Sequence, residues 1–138
     1  MTSSNLALII GGTSGMGLAT AKQLVAQGVS TIILGNNATK LADAKVALEK
    51  AATNGAVVET IQANLYEQQH VDRVVSSVNA QEHHIQYLVN AAGYFNPKGY
   101  LEHTAEDYDI YALLNRATFF ITQAVASNMK THGGGSIV

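Results

Sequence analysis

The chain has 138 residues, 47% apolar and 13% charged, a balance that predicts one folded domain with covered faces and excludes a disordered or highly solvated segment. A net charge of −2 gives no basic field for nucleic acid or anionic lipid, and the absence of cysteine excludes disulfides and thiolate chemistry. The polar start Met1–Asn5 lacks the basic flank of a signal peptide and Leu6–Ile10 is too short to span a bilayer, so a cytoplasmic location with no membrane segment is expected.

Leu6–Ile10 is a short apolar run ending at Gly11, the pattern of a strand buried on both faces. Leu18, Ala21, Leu24 and Val25 recur at helical spacing between Gly17 and Gln27, and Gly28 stops that helix. Thr31–Leu34 reads as a second strand. Thr39 is the expected N-cap of a helix with Leu41, Ala44, Leu48 and Ala51 on one face, closed by Gly55. Ala56–Ala63 reads as a third strand, and Val71, Val74, Val75 and Val78 mark a third helix.

Ile85–Val89 is the fourth strand, followed by a loop that holds the only proline, Pro97. A long apolar period then runs through Ile110, Leu113, Leu114, Ala117, Ile121, Ala124 and Val125, with Thr104 as N-cap and Asp107 as its capping partner. Gly133–Gly135 ends that helix, and Ser136–Val138 begins a fifth strand. Strand and helix alternate throughout, which predicts one α/β domain over residues 1–138. Its sheet would be doubly wound and parallel, with helices on both faces and right-handed crossovers.

Between the first strand and first helix lies Gly11-Gly12-Thr13-Ser14-Gly15-Met16-Gly17, where a doubly wound fold puts a phosphate-binding turn. Glycines permit positive φ and let backbone approach a diphosphate, while the helix start offers N–H groups and a partial positive charge. Thr13 and Ser14 add hydroxyl donors. No Gly-Lys-Ser/Thr follows, which excludes a nucleoside triphosphatase loop.

The spacing Gly11-x-x-x-Gly15-x-Gly17 resembles the signature of the short-chain dehydrogenase/reductase family. Asn64-Leu65 after the third strand, Asn90-Ala91-Ala92-Gly93 after the fourth, and Asn115 with Phe120 in the long helix resemble that family's later motifs, in the same order. The resemblance implies a Rossmann domain with strand order 3-2-1-4 and the start of strand 5, incomplete at its C-terminal side. It also implies hydride transfer between a nicotinamide and a carbonyl or alcohol substrate.

By the same resemblance, Gly11, Gly15 and Gly17 line the pyrophosphate and Met16 presents its backbone N–H. Asn64 and Leu65 flank the adenine, Asn64 accepting a hydrogen bond from its amino group, and Asn90 to Gly93 floor the adenosine ribose. Asn115 holds a water of the proton relay. There are departures. Ile10 replaces the usual Thr, which is expected to loosen the turn; Asn64 replaces an Asp, Ala91 an Asn, and Thr118 a Gly.

The family's Ser, Tyr and Lys lie beyond Val138, so the 138-residue chain by itself is expected to be inactive. Tyr94-x-x-x-Lys98 has the right spacing, but Pro97 argues against the helix that the chemistry needs. The five histidines read as surface residues, with no metal site. Gly35 stands where relatives carry the acid that selects NAD. With Asn36, Asn37, Thr39 and Lys40 as available donors, NADP is favoured over NAD. A noncatalytic dinucleotide-binding or interaction module is the alternative. An apolar edge and the helix face around Leu113, Ile121 and Val125 predict a homo-oligomer.

Overall fold

The computed structural model describes residues 5–138; the polar start Met1–Ser4 lies outside them. The strands are β1 (Leu6–Ile10), β2 (Ser30–Gly35), β3 (Val58–Gln62), β4 (Ile85–Asn90) and β5 (Ser136–Ile137). Between them run α1 (Gly15–Ala26), α2 (Ala38–Ala51), α3 (Gln68–Asn79) and α4 (Ala105–Thr131), with a 3₁₀ turn at Tyr100–Glu102. All pairings are parallel, in the order β3-β2-β1-β4-β5, the Rossmann-like arrangement that the family resemblance implies.

Burial follows that order. β1 and β2 sit inside the sheet, and their unbroken apolar runs are covered on both faces. β3 is an edge strand, and it carries exposed Glu59, Thr60 and Gln62, polar residues that discourage pairing with another chain. One core packs α1 and α2 against Ala7, Ile9 and Ile33; the other packs α3 and α4 against Leu8, Ile10 and Leu88.

Val71, Val74 and Val78 of α3 meet Ala117, Ile121, Ala124 and Val125 of α4 in that second core. This corrects one expectation: Ile121 and Val125 are fully buried and leave no apolar surface. The exposed large apolar side chains of α4 are Tyr108, Leu113, Phe119 and Phe120, with Leu113 only 41% exposed. The helix uses its opposite face for the core because i, i+4, i+8 positions from Ala117 line up on one side.

Helix starts are built in different ways. Asn37, not Thr39, caps α2: its side chain accepts from the Lys40 N–H at 2.9 Å, and Thr39 is already helical. At α4 the expected capping box is present, with Thr104 accepting from the Asp107 N–H and Asp107 accepting from the Thr104 N–H. Neither α1 nor α3 has a side-chain cap.

Asp107 is only 8% exposed and also receives the Lys98 ammonium at 2.9 Å on both oxygens. The Thr104 backbone N–H, then the Lys98 ammonium, hold its carboxyl down at about 2, against 3.8 ordinarily. A depressed carboxyl stabilises the fold above its unfolded value and loses that contribution as pH falls through its folded value. The stability difference between wild type and Asp107→Asn is therefore expected to shrink as pH falls from 3.8 to about 2. Urea unfolding at stepped pH measures it, and a difference constant across that window would contradict the assignment.

Candidate dinucleotide cleft

The sheet's order reverses between β1 and β4: from β1 the chain winds out to β3 on one side and returns to β4 on the other. In open α/β sheets such a switch point leaves a crevice at the carboxyl ends of the strands. Here it holds a cleft of about 370 Å³ lined by Gly11 and Thr13 to Met16 of the glycine loop. Leu34 to Asn36, Ala63 to Tyr66, Ala91 to Gly93 and Leu114 complete its wall. A cleft of about 400 Å³ at the opposite end of the sheet, around Ser30, Thr31 and Glu59, lies away from the switch point.

The three glycines of the motif do different work. Gly15 has φ +54° and would have nothing within 4 Å of an added Cβ, so its missing side chain leaves open cleft. Gly11 has φ +80° and an added Cβ would come within 2.8 Å of the Ala92 N, so it lets β4's exit pass close by. Gly17 does not line the cleft, and a Cβ there would overlap the Gly11 carbonyl oxygen. Its lack of a side chain lets the start of α1 pack closely on the loop. Loss of a hydroxyl at Ile10 is offset by backbone: Gly11 and Gly12 N–H both donate to the Leu34 carbonyl, at 2.9 and 3.2 Å.

α1 begins at Gly15 behind Ser14, whose extended backbone turns the chain into the helix while its side chain makes no capping bond. No acidic residue stands in the first turn, and Met16 is 82% exposed. Uncapped N–H groups and the positive end of the helix therefore meet the cleft beside Gly15, the arrangement that binds a diphosphate.

On the far side, Asn64 closes a turn, its Oδ1 accepting from the Tyr66 N–H at 3.0 Å. That oxygen was the expected acceptor for an adenine amino group; a turn donor already uses one of its lone pairs, leaving the second lone pair and the Nδ2 donors. Tyr66 was missed in the sequence although it follows Asn64-Leu65 directly. Its ring stands edge-on to Tyr94, 6.5 Å between centroids, and Tyr94 in turn meets Tyr111 at 5.2 Å. Burial, then the neighbouring Tyr94, raises the Tyr66 hydroxyl above 10.0, so it is a neutral donor in the cleft wall.

The short chain dehydrogenase family model matches residues 5–138. The chain belongs to the short-chain dehydrogenase family. It is 30% identical over 136 residues to a 3-oxoacyl-[acyl-carrier-protein] reductase of Synechocystis sp., covering 98% of this chain and 54% of that protein. With gluconate 5-dehydrogenase of Gluconobacter oxydans the identity is 32% over 133 residues, covering 96% and 51%. A solved short-chain dehydrogenase from Sphingobium yanoikuyae in complex with NADPH superposes with a TM-score of 0.88 at 26% identity, covering 96% of this chain and 52% of that one. L-sorbose reductase from Gluconobacter frateurii, solved with NADPH and L-sorbose, gives 0.87 at 27%, covering 98% and 51%. The chain thus spans about half the length of the relatives it matches.

In this short-chain dehydrogenase the end of β2 has a steric character that the sequence did not reveal. An added Cβ at Gly35 would come within 2.6 Å of the Thr13 Cγ2, so the glycine loop packs closely on the end of β2. Of the four proposed phosphate donors only Asn36 lines the cleft. Asn37 is committed to its capping bond.

The remaining candidates are spread out. Asn90 is exposed at the end of β4 and outside the cleft, its N–H donating to the Val138 carbonyl at 2.8 Å. Asn115 is exposed on α4 beside Thr118 and Phe119, in a shallow depression separate from the dinucleotide cleft. Its carbonyl and that of Leu114 both accept from the Thr118 hydroxyl at 3.2 Å. Tyr94 and Lys98 lie in irregular backbone, with Lys98 bound to Asp107, so the pair is not the helical acid–base couple its spacing imitates.

The histidines are less idle than expected. His70 and His84 are half-buried; His84 stacks on His132 with centroids 5.4 Å apart. Among the described residues no three potential ligands gather for a metal.

Proposed function

We propose that this chain binds a nicotinamide dinucleotide through the cleft at the switch point, as the cofactor-binding part of an NAD(P)-dependent oxidoreductase acting on a carbonyl or alcohol. The uncapped start of α1 behind a glycine loop carries the reading, because it offers unsatisfied donors where a diphosphate fits. NADPH-bound relatives in two solved structures support the cofactor class. When bound, the nicotinamide supplies a hydride.

The chain's own residues bind and orient. The Gly15 and Met16 N–H groups hold the diphosphate, Leu65 and Leu114 flank the adenine, and Ala91 to Gly93 floor its ribose. Asn36 faces the ribose 2′ position as a neutral donor that tolerates a phosphate, so NADP is the favoured form.

Isothermal calorimetry tests both points. The chain is expected to bind NADPH more tightly than NADH. Asn36→Asp should reverse that order by weakening NADPH about tenfold, since it places a charge beside the 2′-phosphate. Absence of binding by either dinucleotide would overturn the function; an unchanged preference in Asn36→Asp would overturn the role of Asn36.

A further inference from the structure

We propose that His70 is a positioning residue for the adenine end of the cleft and that it does this work only as a neutral imidazole. The inference rests on the dinucleotide reading above. His70 stands in the first turn of α3 and does not itself line the cleft. The backbone N–H of Asn64 donates to its Nδ1 at 2.8 Å. A backbone N–H has no acceptor form, so Nδ1 must carry a lone pair and the ring proton must sit on Nε2. Nε2 faces the Glu67 carboxylate at 3.2 Å, the partner that this tautomer requires.

What the ring holds is the cleft wall. Asn64 accepts from the Tyr66 N–H through its side chain, and its carbonyl accepts from the Glu67 N–H at 3.0 Å. The turn 64–67 is therefore pinned at its first residue by His70, and Asn64, Leu65 and Tyr66 all line the cleft. A second proton, on Nδ1, would set N–H against N–H. The ring must then swing away, leaving the half-buried Asn64 N–H without its partner and the turn free to shift. The charged groups at this helix start are Glu67, Asp72, which accepts from the Gln68 amide, and Arg116 of α4, which donates to the Gln68 side-chain oxygen.

The test is calorimetric titration of the chain with ADP-ribose between about pH 8 and pH 5.5. ADP-ribose carries an adenine and a diphosphate of fixed charge there, and no 2′-phosphate to confuse the profile. Affinity is expected to fall about five- to tenfold toward the acid end, the equivalent of one lost hydrogen bond. The fall should coincide with the His70 ring's own proton-NMR titration.

His70→Asn, which puts a carbonyl oxygen near the Nδ1 position, should keep the affinity of wild type at pH 8 and flatten the profile. His70→Ala should bind weakly at every pH. A flat wild-type profile, an acid loss that persists in His70→Asn, or a His70→Ala chain that binds like wild type would each overturn the inference. A wild type that binds no ADP-ribose even at pH 8 would instead overturn the dinucleotide reading, and this inference with it.

Discussion

Valine at position 15 is expected to abolish dinucleotide binding while leaving the sheet folded. Gly15 has φ +54° and no atom within 4 Å of an added Cβ, so a side chain meets nothing in the empty protein. It projects into the volume that a diphosphate needs, and its β-branch resists the left-handed backbone at a cost of about 1–3 kcal/mol. Affinity for NADPH should fall at least about hundredfold, the equivalent of roughly 2.7 kcal/mol. Gly15→Ala separates the two causes by carrying the backbone strain with a smaller obstruction. Calorimetry alongside thermal unfolding reads both quantities; a folded valine variant binding within about threefold of wild type would remove the phosphate site from this loop.

Gly17→Ala should do the opposite and damage the fold before any ligand is added. Its Cβ would overlap the Gly11 carbonyl oxygen and lie 3.1 Å from the Ala91 Cβ. Neither neighbour can retreat cheaply, because the Gly11 N–H is bonded to Leu34 and the Ala91 N–H to the Ile10 carbonyl. Overpacking against fixed backbone costs about 3 kcal/mol, and the melting temperature should fall on the order of 10 °C. A circular-dichroism melt that coincides with wild type would show that α1 can tilt away without penalty. The two glycines, both expected to line the pyrophosphate, thus separate into one that keeps the cleft open and one that lets the helix start close.

The alternating strands and helices were legible because each element announces itself in one dimension. Unbroken apolar runs such as Leu6–Ile10 specify strands covered on both faces, and the valines of α3 specify one helical stripe. The Thr104–Asp107 box was legible for the same reason, since its partners are three residues apart. Elsewhere the deciding contact is made across the fold. Nothing near Gly35 in the chain predicts the Thr13 methyl, which arrives from the glycine loop. Leu114 follows the core period of α4 yet reaches the cleft, because the helix passes its rim. His70 carries no local signal at all, since its importance lies in which ring nitrogen faces the Asn64 N–H.

Three of the four helices meet their first-turn donors with different provision: α2 has Asn37, α4 has Thr104 with Asp107, and α1 has no side chain at all. A diphosphate seated beside Gly15 would complete α1 as those residues complete the other two. The ligand is then a structural component of the first helix as well as a reactant carrier. Its concentration enters the folding equilibrium directly, because a molecule that binds only the folded chain raises stability as RT ln(1 + [L]/Kd). On the proposed reading, the stability of the chain would therefore rise with the dinucleotide concentration around it.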